Sequence, residues 1–406
     1  MRVLHTSDWH LGQRLLAFDR EEEHRMALDF LLNLVREQAA EILIVAGDIF
    51  DTGNPPHYAR SLYYNFLTRL LATGCRHVVI VGGNHDSPAM LNAPGELLRY
   101  LNIHVVGAFP GELKDEILRL KDARGQTEAI IAAVPFLRDR DLRYSEAGES
   151  SFQRQAKVKE AISAHYHALA GLLAAEKSKD VPVIATGHLY ATGATTSEKQ
   201  NNIYAGNEEN IDADQFPDLF DYIALGHIHR AQAVGGQSHI RYSGSIIPLS
   251  FSETADVKSV CLLDFDGRSI TRAETVEVPQ FRRLKTIQGT LDEVREKLLA
   301  FDRKGDRELT PWVEVIVETD QVIPQLDVEL QEFVAEMNLV LMRIRLHRKQ
   351  AVKAVDAALS ESLEDLDVLE VFRRKCRVFG SPPEEMEELE QTFLELRSWM
   401  AERQAD

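Results

Sequence analysis

Arg2-Val3-Leu4-His5-Thr6-Ser7-Asp8-Trp9-His10 is the stretch from which the rest of the chain is read. Arg2 to Thr6 predicts a buried strand, and two ligand-type side chains, Asp8 and His10, follow at once. A carboxylate and an imidazole two positions apart reach one ion if the backbone stays extended. Alone, such a short pair is a weak signal. Its weight comes from repetition. Ile42 to Ala46 runs into Gly47-Asp48, and Val78 to Val81 into Gly82-Gly83-Asn84-His85-Asp86. Val183 to Ala185 leads to Thr186-Gly187-His188, and Tyr222 to Leu225 to Gly226-His227-Ile228-His229.

Between the first two strands, Glu21 to Gln38 carries Met26, Leu28, Phe30, Leu31, Leu34 and Val35 largely on one helical face. Strand, helix, strand makes a βαβ unit with a parallel pair, so the class is α/β. Ile42 to Ala46 is apolar throughout, as a strand buried on both faces is. Further helices are expected near Tyr58 to Ala72 and Gln153 to Lys177, and a surface loop from Tyr190 to about Ile203. Val257 to Phe265 and Ser269 to Val278 predict an antiparallel pair about an Asp-Gly turn.

The pattern changes near Pro279 and Arg282-Arg283. Residues 1–279 are expected to form the first domain and 280–350 a small α/β unit without ligand clusters. Residues 351–406 are expected to form a polar helical tail. There Met386, Leu389, Phe393, Leu396 and Met400 make a heptad-like apolar seam. That seam suits a terminal helix docked on its own domain or a handle for a partner helix.

Composition sets bounds. With 406 residues, 44% hydrophobic and 27% charged, the chain has the mass for a large core. Cys75, Cys261 and Cys376 form no C-x-x-C pair, which predicts a reducing, cytoplasmic compartment. No apolar run approaches the ~18 residues that span a bilayer, and no targeting segment is read at the N-terminus. A net charge of −18 disfavours unaided phosphate binding, although local basic patches and bound cations offset it.

Each candidate ligand has an ordinary structural role: an N-cap for Asp8 or Asp48, a turn for Asn84, a hydrogen-bonded core position for a lone histidine. Five coincidences at five strand ends argue for one pocket at the carboxyl edge, where α/β sheets bind ligands. An oxygen and imidazole set suits Mn or Fe better than Mg or a structural Zn. Two ions about 3.5–4 Å apart would clamp the oxygens of a phosphoryl transfer.

In order, Asp8-x-His10, Gly47-Asp48, Gly83-Asn84-His85-Asp86, Gly187-His188 and Gly226-His227-x-His229 resemble the signature of calcineurin-like metallophosphoesterases. Thr6 to Gly12, Ala46 to Asp51, Gly226 to Arg230 and Tyr242 to Ser245 look like the SbcD family of bacterial nuclease subunits. The resemblance implies a four-layer β-sandwich flanked by helices, a small α/β capping, DNA-binding domain and a helical C-terminal tail. It implies that Asp8, His10 and His229 hold one metal and Asn84, His188 and His227 another, with Asp48 bridging. His85, paired with Asp86, would protonate the leaving oxygen. Some relatives carry a further histidine near Asp51; this chain has Asp51 there and His57 beyond.

The implied function is a Mn-dependent DNA nuclease, a 3′–5′ double-strand exonuclease and single-strand or hairpin endonuclease in replication, recombination and repair. The alternative on the same scaffold is a small-molecule phosphodiesterase or phosphoprotein phosphatase. The chain has no phosphate-binding P-loop, so ATP would act only through a partner, the SbcC-type coiled-coil ATPase. A homodimer within a heterotetramer, DNA ends and hairpins as substrates, no membrane, and a cytoplasmic, nucleoid-associated location complete the expectation.

Overall fold

The computed structural model describes residues 1–142, 150–176, 180–192, 210–302, 308–319 and 323–347, and Phe372, Arg373, Cys376, Leu389, Glu390, Thr392 and Phe393. Most of the seam from Met386 to Met400 lies outside the described residues. The two seam positions described are Leu389 and Phe393, the latter stacked on Phe372 with ring centroids 4.3 Å apart.

The first sheet is built from β1 (Arg2–Thr6), β2 (Ile42–Ala46), β3 (His77–Val81) and β4 (Ile103–Val106), all parallel. Helices α1 (Glu21–Glu37) and α2 (His57–Leu70) lie between its early strands in sequence. The second sheet takes β5 (Ile117–Lys121), β6 (Thr127–Ala132), α3 (Ser151–Leu173) as its helix, β7 (Val183–His188) and β8 (Tyr222–Gly226). The strands β9 (Gln232–Val234) and β10 (Gln237–Tyr242) close its other side, in the order β9-β10-β8-β7-β6-β5. The antiparallel pair β11 (Ser259–Asp266) and β12 (Ser269–Glu277) extends the first sheet through β1, giving β12-β11-β1-β2-β3-β4.

Alternation along the strands explains the layering. In β2, Ile42 and Ile44 face the second sheet, where they meet Ile131, Ile184 and Ala224. Leu43 and Val45 face the helices, beside Leu31, Phe66 and Leu67. The second sheet buries its outer face under α3, through Val158, Ile162, Tyr166 and Leu169. The result is helix, sheet, sheet, helix, the four-layer sandwich expected of the family. The stretch after Tyr190 begins with a short strand, Tyr190–Thr192, paired to Asn210–Asp212 rather than with a loop.

A smaller unit follows: β13 (Arg282–Gly289), α4 (Leu291–Asp302), β14 (Leu309–Glu318), α5 (Leu326–Val334) and β15 (Val340–His347). Its three parallel strands carry both helices on one face. Leu284 and Trp312 on the other face pack on Leu15 and Phe251 of the sandwich. No helix among the described residues is long and apolar enough to cross a membrane.

His5 and His24 are buried, and His104 half-buried, without a compensating carboxylate. Burial lowers His5 and His24 to about 3 and His104 to about 4. Below about pH 6.5 the unfolded chain takes up protons that these rings refuse, so folding loses stability as pH falls. The loss approaches about 1.4 kcal/mol per pH unit for each fully buried ring. Urea denaturation of the metal-free protein between pH 6.5 and 4.5 is expected to show a His5→Gln slope shallower by about that amount. An unchanged slope would mean that His5 is not held neutral.

Candidate metal centre

The carboxyl ends of β1, β2 and β3 in one sheet and of β7 and β8 in the other meet at one end of the sandwich. The side chains delivered there form two groups beside Asp48, and a third, His10, Asp51 and His85, shares His10 with the first. Ligand atoms of Asp8, His10 and His229 lie within 4.8 Å of one another, as do those of Asp48, His188 and His227. Asn84 joins the second group, its Oδ1 3.0 Å from both His188 Nε2 and His227 Nδ1. Asp48 Oδ2 lies 3.2 Å from His188 Nε2 and 3.5 Å from His10 Nε2, so one carboxylate faces both groups.

The backbone that achieves this is not extended. Asp8, His10, Asp48 and His227 have φ of 51°, 46°, 49° and 99°. Asp and His tolerate positive φ better than most residues, but each such position costs about 1–3 kcal/mol. Asp8 and His10 therefore converge through a left-handed curl, where the sequence suggested a straight chain. At His227 the turn has the opposite effect. It sends His227 to the Asp48 group and leaves His229 with Asp8. Hydrogen bonds between the loops hold the curl: His10 N–H to the Asp48 carbonyl at 3.0 Å, and His227 N–H to Asp8 Oδ1 at 2.9 Å. Gly83 and Gly226 permit the approach. A Cβ on the first would overlap the Asp48 carboxylate, and on the second the Ala46 carbonyl of the opposing sheet.

Asp48 is only 2% exposed. Burial alone would raise its pKa, but His188 first, then His10 and His85, hold it well below the usual carboxylate range. Burial pulls His10 and His188 down, yet both rise to about 9. For His10 the bond to Asp51 and the charges of Asp48 and Asp8 prevail; for His188 it is mainly Asp48. His227 is driven the other way, by burial and then by His188.

These groups fit divalent cations. His188 Nδ1 donates to the Ala46 carbonyl at 2.9 Å, so its Nε2 is turned to the oxygens of Asp48 and Asn84. Without metal a proton on Nε2 meets those oxygens; a divalent ion taking its place would be held by the ring and the two oxygens together. His10 repeats the arrangement: Nδ1 lies 3.1 Å from Asp51 Oδ1, and buried Nε2 has no hydrogen-bond partner. His229 Nδ1 lies 3.2 Å from Glu253 Oε1. Carboxylates behind metal-binding imidazoles orient the ring and raise its basicity. Reading the sequence does not single out Asp51 or Glu253 as such supports. Asp51, three residues beyond Asp48, is within reach of the motif; Glu253 carries no local signal.

His85 is exposed, its Nδ1 2.7 Å from the Asp51 carbonyl oxygen and its ring centroid 4.9 Å from that of His10. The expected pairing with Asp86 is corrected. Asp86 is buried and accepts the N–H groups of Ile49 at 3.2 Å, Phe50 at 2.9 Å and Gly83 at 2.8 Å. It ties the β2 and β3 loops together, and burial with the nearby Asp48 raises it to about 6 against those three donors. His57 starts α2 and lies 3.4 Å from Ser61, in none of the groups.

Residues 1–231 match the family model of the calcineurin-like phosphoesterases, and residues 280–378 that described as the type 5 capsule protein repressor C-terminal domain. Among curated proteins the chain is 38% identical to SbcD, the nuclease subunit of SbcCD, from Escherichia coli K12, over 97% of this chain and 96% of that one. It is 32% identical to the same-named protein of Rhodobacter capsulatus, over 88% and 90% of the two chains. The Bacillus subtilis protein of that name is 28% identical over the full length of both.

Divalent ions need neutral imidazoles, while His10 and His188 stay protonated up to about pH 9 without metal. Binding at pH 7 must therefore expel protons, and affinity must rise with pH towards 9. Calorimetry of Mn²⁺ binding in buffers of different ionisation enthalpy is expected to report about two protons released, one from each ring. Proton-neutral binding would contradict this electrostatic account.

Proposed function

The chain belongs to the calcineurin-like phosphoesterase family, among the SbcD nucleases, and from that premise we propose how its site hydrolyses DNA. The enzyme is a phosphodiester hydrolase whose family implies divalent metals. The single observation that carries the proposal is Asp48, one buried carboxylate within 3.5 Å of a histidine from each ligand group. Asp8, His10 and His229 would hold one ion, Asn84, His188 and His227 the second, and Asp48 would bridge them. The oxygen and imidazole donors favour Mn.

When bound, two such ions polarise the phosphoryl group and lower the pKa of the attacking water. The remaining work falls to the chain. The strained loops fix the ligands before substrate arrives, so little reorganisation remains at the moment of reaction. His85 stands at the exposed mouth. Its Nδ1–H is donated to the Asp51 carbonyl, which leaves Nε2 to carry the proton given to the departing oxygen. Asp86 acts at one remove, by holding the loop on which His85 sits.

The substrates proposed are DNA ends and hairpins, cut by 3′–5′ double-strand exonuclease and single-strand endonuclease action. An SbcC-type coiled-coil ATPase is the proposed partner, with the chain as a homodimer in a heterotetramer at the nucleoid. The tail from 351 is proposed to grip that coiled coil. Hydrolysis of linear and hairpin DNA, compared with cyclic nucleotides and phosphopeptides, tests the substrate class; activity confined to the latter two would overturn it. His85→Gln is expected to retain both ions while kcat falls about 10²–10⁴-fold. Full nuclease activity in that variant would remove His85 from the mechanism.

A further inference from the structure

We propose that Glu253 is a positioning residue for His229, standing at the end of a buried polar chain that starts where the smaller unit is seated. The carboxylate is 2% exposed. Its Oε1 faces His229 Nδ1 at 3.2 Å, and its Oε2 accepts from Lys258 Nζ at 2.7 Å and from the Leu249 N–H at 3.1 Å. Lys258 Nζ also donates to the His229 carbonyl at 2.9 Å. Glu253 and Lys258 thus hold His229 by its ring and by its backbone together. With Oε2 taken by the Lys258 ammonium and the Leu249 N–H, Oε1 is the acceptor set against His229 Nδ1, an arrangement that places the ring proton on Nδ1 and turns Nε2 to the ligand group.

The segment carrying Glu253 is fastened in turn. Arg20, 1% exposed, donates NH1 to the Pro248 carbonyl at 2.6 Å and to Gln13 Oε1 at 2.9 Å. Gln13 Nε2 donates to the Leu249 carbonyl at 3.1 Å. Arg20 Nε is paired with Glu23 Oε2 at 3.0 Å, and that oxygen lies 3.4 Å from Arg282 Nε. Arg282 opens β13 and stacks on Trp312 at 4.2 Å, the residue by which the smaller unit seats on the sandwich. Arg282, Glu23 and Arg20 thereby join that seat to the Leu249–Glu253 segment, and removing one of them would leave a buried charge uncompensated.

The inference rests on the metal-centre reading for its effect on ions, but not for its effect on the histidine. Two measurements on the full chain keep these apart. In chelator-treated protein, ¹⁵N spectra of the histidine rings are expected to show His229 as the Nδ1–H tautomer. The double variant E253L/K258M, which removes both buried charges at once, is expected to populate both tautomers. In Mn²⁺ titrations, E253Q is expected to lose about 10–100-fold in affinity for one of two ions and to leave the other unchanged. R282A is expected to weaken the same ion and shift the same His229 resonance, by less. A wild-type tautomer in the double variant, together with two unaltered affinities in E253Q, would overturn the positioning role. An unmoved His229 resonance and unaltered affinities in R282A would overturn the link to the smaller unit. Wild-type protein that binds no ions would defeat the metal-centre reading alone, and the tautomer would still decide the role of Glu253.

Discussion

A single buried carboxylate, Asp48, organises this protein. Its negative charge is kept in a nearly water-free position by imidazoles on both sides, His188 at 3.2 Å and His10 at 3.5 Å. An ionised group so buried is stable only when paired. The pairing drags everything else with it. His188 comes from one sheet and His10 from the other, so the sandwich must close edge to edge at this point. Gly226 and Ala46, touching across the two sheets, are the steric expression of that closure.

The cost is local and the compensation is distributed. Asp8, His10, Asp48 and His227 each occupy a left-handed backbone that an ordinary loop avoids. Apolar packing of β2 and β3 on both faces, together with loop-to-loop hydrogen bonds, over-determines those conformations. A rigid frame around strained ligands is the condition for preorganised electrostatics. Flexible surface loops could carry the same residues without holding them to within a few tenths of an ångström.

Much of this was legible in the chain. Continuous apolar runs such as Ile42 to Ala46 announced strands covered on both faces, and a ligand-type residue behind each announced a shared edge. What the runs did not announce was their division between two sheets, because periodicity along a strand says nothing about its neighbours. The parting of His227 from His229 came from the family resemblance and not from the spacing: one positive φ accompanies it, and H-x-H looks the same with or without that turn. The resemblance implied Asp86 as the partner of His85, whereas its carboxylate is spent on three backbone N–H groups. Glu253 and Lys258 became visible only through distances that fold-level contacts create. The apolar seam of the tail falls mostly outside the described residues.

The most direct test of the account is anomalous diffraction from crystals soaked in Mn²⁺. Two peaks flanking the Asp48 carboxylate, one beside Asp8, His10 and His229 and the other beside Asn84, His188 and His227, are the predicted result. A single peak away from Asp48, or no peak with the side chains in the arrangement described, would contradict it.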